Sequence, residues 1–263
     1  MIKILGHRGG RSLWPENSLL GFREAIALGV DIVEFDVNLS SDGEMMVIHD
    51  PTLERTTHGS GLVCEHSAEA LRSTMLRDSD EGVSTLDAAL DVFEPVATEV
   101  FIEIKTDARG RHYPGLERRI LDNLARRGMT RRAAIVCFVP EVLETARDIE
   151  PAIQVLAPVF RPTSQMYGGL EKMLDRLDLI PGCLVSVERS LLAVARDYCL
   201  ERLGPERLCV GANNEPDELA FWMTQAVRQV GSDRPDLALA ARARHGRSTD
   251  ASAVPTGRIR SSP

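Results

Sequence analysis

Residues 31–37 read DIVEFDV, and the fold turns on the five residues Val33-Glu34-Phe35-Asp36-Val37. The stretch has the β-branched and aromatic content of a buried strand, yet it carries two carboxylates, Glu34 and Asp36, two residues apart. Side chains alternate along a strand, so the two acids share one face while Val33, Phe35 and Val37 share the other. In a closed barrel one face meets the surrounding helices and the other meets the interior. With the apolar trio under helices, both acids point inward near the strand's C-terminal end, where barrel active sites lie. Two buried acids side by side repel, and they hold either a proton or a cation. A hard divalent ion is the economical answer. The competing reading puts both acids on the solvated face of an edge strand.

Seven further β-type runs lie along the chain, at residues 2–5, 100–104, 133–138, 153–159, 183–187, 208–212 and 227–231. Most gaps between them hold a helical pattern, at 18–28, 115–128, 140–149, 169–178, 190–204 and 216–226. Alternation of strand and helix indicates parallel βα units, hence an α/β protein. Eight such units fit a (β/α)8 TIM barrel in count and length. A doubly wound open sheet alternates in the same way, but no GxGxxG follows a strand, which weighs against the nucleotide-binding version. The run MMVIHD (45–50) is a ninth apolar segment. Only residues 38–44 separate it from the second strand, too few for a parallel crossover, and SSDG within them signals a turn. MMVIHD is therefore expected to double back beside that strand, with His49 on a loop near the barrel mouth.

The 263 residues, 43% hydrophobic, suffice for one barrel-sized domain over residues 1–239. A net charge of −8 disfavours nucleic acid as a partner, because phosphate-backbone binding needs basic patches. The charge is uneven: residues 240–263 hold five Arg against Asp250, a balance of +4 that leaves −12 on the rest. This end is rich in Ser, Thr, Gly and Pro without apolar periodicity and is expected to be a disordered tail. The N-terminal apolar stretch is too short for a secretory signal, and no run approaches the ~18 apolar residues of a membrane span. No stable membrane association is expected. Cys64, Cys137, Cys183, Cys199 and Cys209 show no CxxC spacing, which suggests reduced, buried thiols and a cytoplasmic location.

The segment VFIEIK (100–105) repeats the acidic design with Glu103 between Ile102 and Ile104. A third inward acid from the next barrel strand completes an oxygen-rich site for Mg²⁺ or Ca²⁺. Lys105, at the strand's tip, is read on the face opposite Glu103, from which it can swing toward a ligand phosphate as a point charge. The first strand ends in GHRGG (6–10), whose glycines allow the turns that bring His7 and Arg8 to the mouth. A strand-end histidine is commonly just a packed residue. Paired with His49, however, His7 suggests a general acid and a general base, since imidazole titrates near neutral pH. Arg8 offers a fork for phosphate oxygens. His58, His66, His112 and His245 sit in polar surroundings and receive no role.

Taken together, HRGG with WPENS (7–10 and 14–18), VEFDV, SSDGEMMVIHDPTLERTTHGSG (40–61), VFIEIK and GSDRPDLAL (231–239) resemble the glycerophosphodiester phosphodiesterase family. The resemblance is densest before residue 106. It implies a TIM barrel with a small insertion after the second strand, here residues 38–82. It further implies that Glu34, Asp36 and Glu103 ligate one divalent ion, usually Mg²⁺ or Ca²⁺ with Mn²⁺ as an alternative. His7 and His49 would form the acid/base pair, with His49 favoured as first base, and Arg8 and Lys105 would bind the substrate phosphate. The implied reaction is hydrolysis of a glycerophosphodiester to sn-glycerol 3-phosphate and an alcohol through a cyclic phosphate. Glu16 and Asn17 are expected to brace the first loop, Asn17 as a helix cap.

The second half departs from the family's pattern. Where the family commonly has Trp followed by Thr-Val-Asn, this chain reads Val210-Gly211-Ala212-Asn213-Asn214. Cys137 stands where Ser is frequent, and Ser232 where Thr usually precedes the acid matching Asp233. The missing aromatic wall keeps a second reading open, a lysophospholipase D or another phosphodiesterase using the same site. A catalytically silent binding barrel is a third; it predicts loss of a central residue, and none is lost.

Overall fold

The computed structural model describes residues 1–251, with side chains to residue 246. Its strands are β1 (Lys3–Gly6), β2 (Ile32–Leu39), β3 (Met45–Val47), β4 (Glu99–Ile104), β5 (Ala133–Val136), β6 (Gln154–Val159), β7 (Leu184–Val187), β8 (Leu208–Val210) and β9 (Gln229–Ser232). They hydrogen-bond in the order β1-β9-β8-β7-β6-β5-β4-β2-β3, and β1 also pairs with β2. All neighbours but one are parallel, so the β1–β2 pairing closes a ring of eight strands, a (β/α)8 barrel. The exception is β3, which runs antiparallel to the C-terminal end of β2 with Val37 opposite Val47 and Leu39 opposite Met45. MMVIHD does double back, and it stays outside the ring.

Helices fill the connections: α1 (Leu19–Leu28), α2 (Ala68–Ser73), α3 (Leu86–Phe93), α4 (Leu116–Arg126), α5 (Pro140–Ile149), α6 (Arg161–Met166), α7 (Leu170–Asp178), α8 (Arg189–Arg207), α9 (Pro216–Trp222) and α10 (Pro235–Ala251). Local chemistry sets their ends. Ser18 caps α1 by accepting from Gly21 N at 2.9 Å, and Gly29 ends it with φ 90°, a left-handed conformation that glycine adopts without strain. Pro140 opens α5 at a position where no backbone donor is needed.

Alternation along the strands sorts the core into two layers. Val33, Phe35, Val37, Val100, Ile102 and Ile104 face outward and pack under the helices. There Phe35 sits 5.2 Å from Phe22 of α1 and 5.8 Å from Phe93 of α3, ring centre to ring centre. Inside the ring, Leu5, Ile32, Phe101, Ala134, Val136, Leu156, Leu184 and Cys209 form an apolar floor. The segment after β2 has a small core of its own, built from Met46, Ile48, Leu53, Val63, Leu71, Leu76 and Val83.

The far end of the chain corrects the sequence reading. Residues 240–251, expected to be disordered, continue α10. Alanine-rich sequence favours helix, Ala238 and Ala241 are buried against the barrel, and Arg242 donates to Ile2 O at 3.1 Å and pairs with Asp31. The helix is thereby docked at the N-terminal ends of β1 and β2. Residues 252–263, the rest of the expected tail, lie outside the described residues. All five cysteines are free, four of them buried. Among the described residues no helix is long and apolar enough to cross a membrane.

Candidate active site

The parallel register sets Asp36 of β2 beside Glu103 of β4, and Glu34 lies two residues earlier on the same inward face. One oxygen from each of the three lies within 4.8 Å of the others. All three side chains are buried, Asp36 completely. Several groups hold them. Arg8 N donates to Glu34 Oε2 at 3.0 Å, Asn17 Nδ2 donates to Asp36 Oδ2 at 2.8 Å, and Lys105 Nζ lies 2.9 Å from Asp36 Oδ1 while also pairing with Glu103. Glu34 Oε1 is buried and finds no hydrogen-bond partner among the described residues. Burial, reinforced by the Asp36 charge, pushes the Glu34 carboxyl far above the ordinary range. Burial works against ionisation of Asp36 too, but the charges of Lys105, His49 and Arg8 outweigh it and keep that acid ionised. Three hard oxygen donors around an under-compensated buried charge fit a divalent cation. Lys105 supplies part of the compensating charge.

Two expectations are corrected here. Lys105 follows Glu103 by two residues, so the pleat aims it to the same side and into the acids, not to the opposite face. Asn17 is not the helix cap, a task that Ser18 performs. Its amide instead orients Asp36, with Asn17 in the left-handed region at φ 57°.

His7 and His49 stand at the same mouth and share one design. His7 Nδ1 donates to Asp233 Oδ1 at 2.6 Å, and His49 Nδ1 donates to Asp50 Oδ1 at 2.6 Å. Each ring is thus fixed through Nδ1, which leaves Nε2 as the nitrogen available for chemistry. His7 Nε2 is 3.9 Å from Glu34 Oε2. Burial disfavours the His7 imidazolium, but the Asp233 hydrogen bond and the Glu34 charge prevail and raise its pKa above 6.5. For His49, burial together with the Lys105 and Arg8 charges prevails over Asp36 and Asp50, and its pKa falls below 6.5. The Asn38 amide donates to Ile48 O at 2.9 Å and steadies the backbone that leads into His49.

Apart from Glu16, expected to brace the first loop, a layer of supporting residues escaped the sequence reading. Asp233 also accepts from Arg11 Nη2 at 3.0 Å and from Asn214 Nδ2 at 2.9 Å, contacts that with His7 overcome burial and hold it well below the usual carboxylate range. Arg8 Nη1 donates to Glu16 Oε1 at 3.1 Å, and Arg55 bridges Glu16 and Asp50. The signals were present as acids adjoining recognised motifs, His49-Asp50 and Ser232-Asp233, but no spacing rule pairs residue 7 with residue 233.

His7, Arg8, Glu34, His49, Glu103, Lys105 and Asp233 line a cavity of about 440 Å³. Its wall is divided by topology. The adjoining strands β9, β1, β2 and β4, with the loops that follow them and β3, contribute all its ionisable side chains among the described residues, including His7, Arg8, His49, Glu103, Lys105 and Asp233. The opposite run β5–β8, with the loops that follow it, contributes Val136, Phe138, Leu156, Pro158, Phe160, Ser186, Val210, Gly211, Ala212 and Asn214, whose amide is engaged by Asp233. Gly211 is required by packing: a Cβ there would lie 2.9 Å from Gly231 Cα.

A closed parallel barrel with three inward acids and two carboxylate-anchored histidines at its mouth defines a TIM-barrel protein of the acid-and-histidine class. Residues 7–203 match the glycerophosphoryl diester phosphodiesterase family, and the chain belongs to that family. A glycerophosphodiester phosphodiesterase of Caldanaerobacter subterraneus is 30% identical over 161 residues, 58% of this chain and 64% of its own length. One of Bacillus altitudinis is 30% identical over 160 residues, 59% of this chain and 65% of its own. The chain thus spans just under two thirds of the length of these curated relatives. Among solved structures, a glycerophosphodiester phosphodiesterase of Thermotoga maritima superposes with a TM-score of 0.73 at 23% identity, over 92% of this chain and 98% of that one. An Oleispira antarctica phosphodiesterase, solved in complex with the product sn-glycerol-3-phosphate, gives 0.75 at 22% identity, over 92% and 96%. At these identities the likeness establishes the fold.

Proposed function

We propose that this protein hydrolyses glycerophosphodiesters to sn-glycerol 3-phosphate and an alcohol with the help of one divalent ion, Mg²⁺, Ca²⁺ or Mn²⁺. The observation that carries the reading is the convergence of Glu34, Asp36 and Glu103, within 4.8 Å, beside a cavity lined by Glu34, Glu103, both histidines and Arg8. Family membership and the relatives' names support it. Glu34, Asp36 and Glu103 would hold the ion, which would supply positive charge to stabilise the phosphoryl oxygens.

The chain's own residues do the rest. Arg8 and Lys105, both at the cavity wall, hold the phosphate oxygens. His49, the less basic ring, takes the proton of the neighbouring glycerol hydroxyl as its oxygen bonds to phosphorus. His7, its imidazolium favoured by Asp233 and Glu34, gives its proton to the departing alcohol oxygen as the original P–O bond breaks. The cyclic phosphate so formed is opened by water, with the two histidines exchanging roles. Free thiols fit a cytoplasmic setting for this chemistry.

The test is release of glycerol 3-phosphate from a panel of glycerophosphodiesters by the purified protein, with each ion and with chelator. Turnover that needs an added ion and disappears in His49→Ala is the expected result. No release from any substrate with any of the three ions overturns the proposal.

A further inference from the structure

We propose that the β5–β8 half of the cavity is a subsite for an uncharged, apolar leaving alcohol, with Phe138 and Phe160 as its specificity-determining residues. The inference rests on the phosphodiesterase reading for the direction of the substrate: phosphate and glycerol are anchored by the charged strands, so the alcohol is directed across the barrel to the other wall. Among the described residues that wall offers aliphatic and aromatic surface with two polar side chains, Ser186 and Asn214, and the Asn214 amide is already bonded to Asp233 and Ser232.

Phe138 and Phe160 meet edge to face with ring centres 5.1 Å apart, projecting from the loops that follow β5 and β6. Phe160 is 41% exposed, an aromatic surface left open beside an active-site cavity. Its backbone is fixed: Phe160 N donates to Thr163 Oγ1 at 3.0 Å, and Thr163 Oγ1 donates to Phe160 O at 2.9 Å. The ring is therefore carried by a pinned helix start, and an apolar group seated against it removes its surface from water. Ala212, with only a methyl side chain, leaves this side of the cavity open.

The same wall is a poor receptor for choline or ethanolamine. A cation leaving water needs an acid or a rich aromatic cage. Among the described residues every carboxylate lining the cavity stands on the charged strands, already engaged by Lys105, Arg8, His7 or Arg11. Two phenylalanines without an acid favour alkyl over ammonium.

The experiment compares kcat/KM of the full chain, with Mg²⁺, for glycerol 3-phosphate diesters of ethanol, butanol, hexanol and choline. The expected result is a rise of about fourfold for each added methylene and a hexyl ester at least tenfold better than the choline ester. Phe160→Ala should flatten that rise, and Phe160→Leu should restore part of it. A choline ester equal to or better than the hexyl ester, or a rate independent of chain length, overturns the proposal. Calorimetric binding of n-hexyl phosphate and of phosphocholine separates this failure from failure of the activity itself. Tighter, Phe160-dependent binding of hexyl phosphate without turnover of any diester sustains the subsite while refuting the activity. Phosphocholine binding as tightly as hexyl phosphate refutes the subsite whether or not turnover is seen.

Discussion

Arg55 grips Glu16 through two parallel hydrogen bonds, Nη1 to Oε2 and Nη2 to Oε1, both 2.8 Å long. The same guanidinium donates from Nε to Asp50 Oδ2 at 2.6 Å. Glu16 in turn receives Arg8, and Asp50 receives His49. One residue of the insertion thereby braces the contacts of both Arg8, the proposed phosphate ligand, and His49, the proposed base, although it lines neither the cavity nor the cluster of acids.

Replacing Arg55 should therefore cost activity more than stability. Supporting residues that orient site groups typically contribute about 10- to 100-fold, and Arg55→Ala is expected to lower kcat/KM within that range. Arg55→Lys should recover little, because an ammonium cannot hold two carboxylates with a planar fork. Steady-state kinetics beside a thermal melt check this. A variant with unchanged kcat/KM would remove Arg55 from the site's support.

The outward face of β2 bears on the site through packing. Phe35 is fully buried between Phe22 and Phe93, directly behind the strand that presents Glu34 and Asp36. Truncating such a ring costs about 3–5 kcal/mol. Phe35→Ala should lower the urea midpoint accordingly and weaken metal affinity, while Phe35→Leu should retain most of both. Urea unfolding followed by fluorescence reads the first effect and calorimetry the second. Full stability in the alanine variant would mean that the cluster of rings is not a mainstay of the barrel.

Metal binding should expel a proton near neutral pH. Without an ion, burial and Asp36 raise the Glu34 pKa, so the acid keeps its proton at pH values where an ordinary carboxyl has lost it. Ligation needs the carboxylate. Mg²⁺ titrations in buffers of different ionisation enthalpy should show proton release at about pH 6 that fades by about pH 9, with affinity rising over the same interval. Glu34→Gln should abolish the release. Equal release at both pH values would assign the proton to another group.

Much of this was legible because strand alternation is strict. Glu34, Asp36 and Glu103 needed only period two and a closed ring to converge, and the same rule, counted correctly, places Lys105 among them. What the sequence hid depends on distance along the chain. The pairs His7–Asp233 and Arg55–Glu16 join loops from different βα units, and no local pattern announces them. The last helix was hidden for another reason. Its Arg-rich, Ser-containing composition resembles a solvated tail, but Arg242 and two buried alanines dock it against the barrel. The division of the cavity wall between charged and apolar strands becomes visible only once the order of strands around the ring is known.

The pH profile of kcat/KM should be bell-shaped, with limbs assigned by the neighbours of each histidine. As first base His49 must be neutral, and its pKa lies below 6.5, so the acid limb should fall below that value. As acid His7 must be protonated, and its pKa lies above 6.5, so the alkaline limb should fall above it. Asp233 supports that elevation through its 2.6 Å hydrogen bond to Nδ1. Asp233→Asn removes the charge but keeps the shape, so the alkaline limb should move to lower pH while the acid limb stays. The same change should lower kcat by at least about tenfold, because His7 loses both its fixed orientation and its proton at neutral pH. Kinetics of both proteins across the pH range with saturating Mg²⁺ read the two limbs separately. If Asp233→Asn moved the acid limb instead, His7 would be the base and the two histidines would exchange roles.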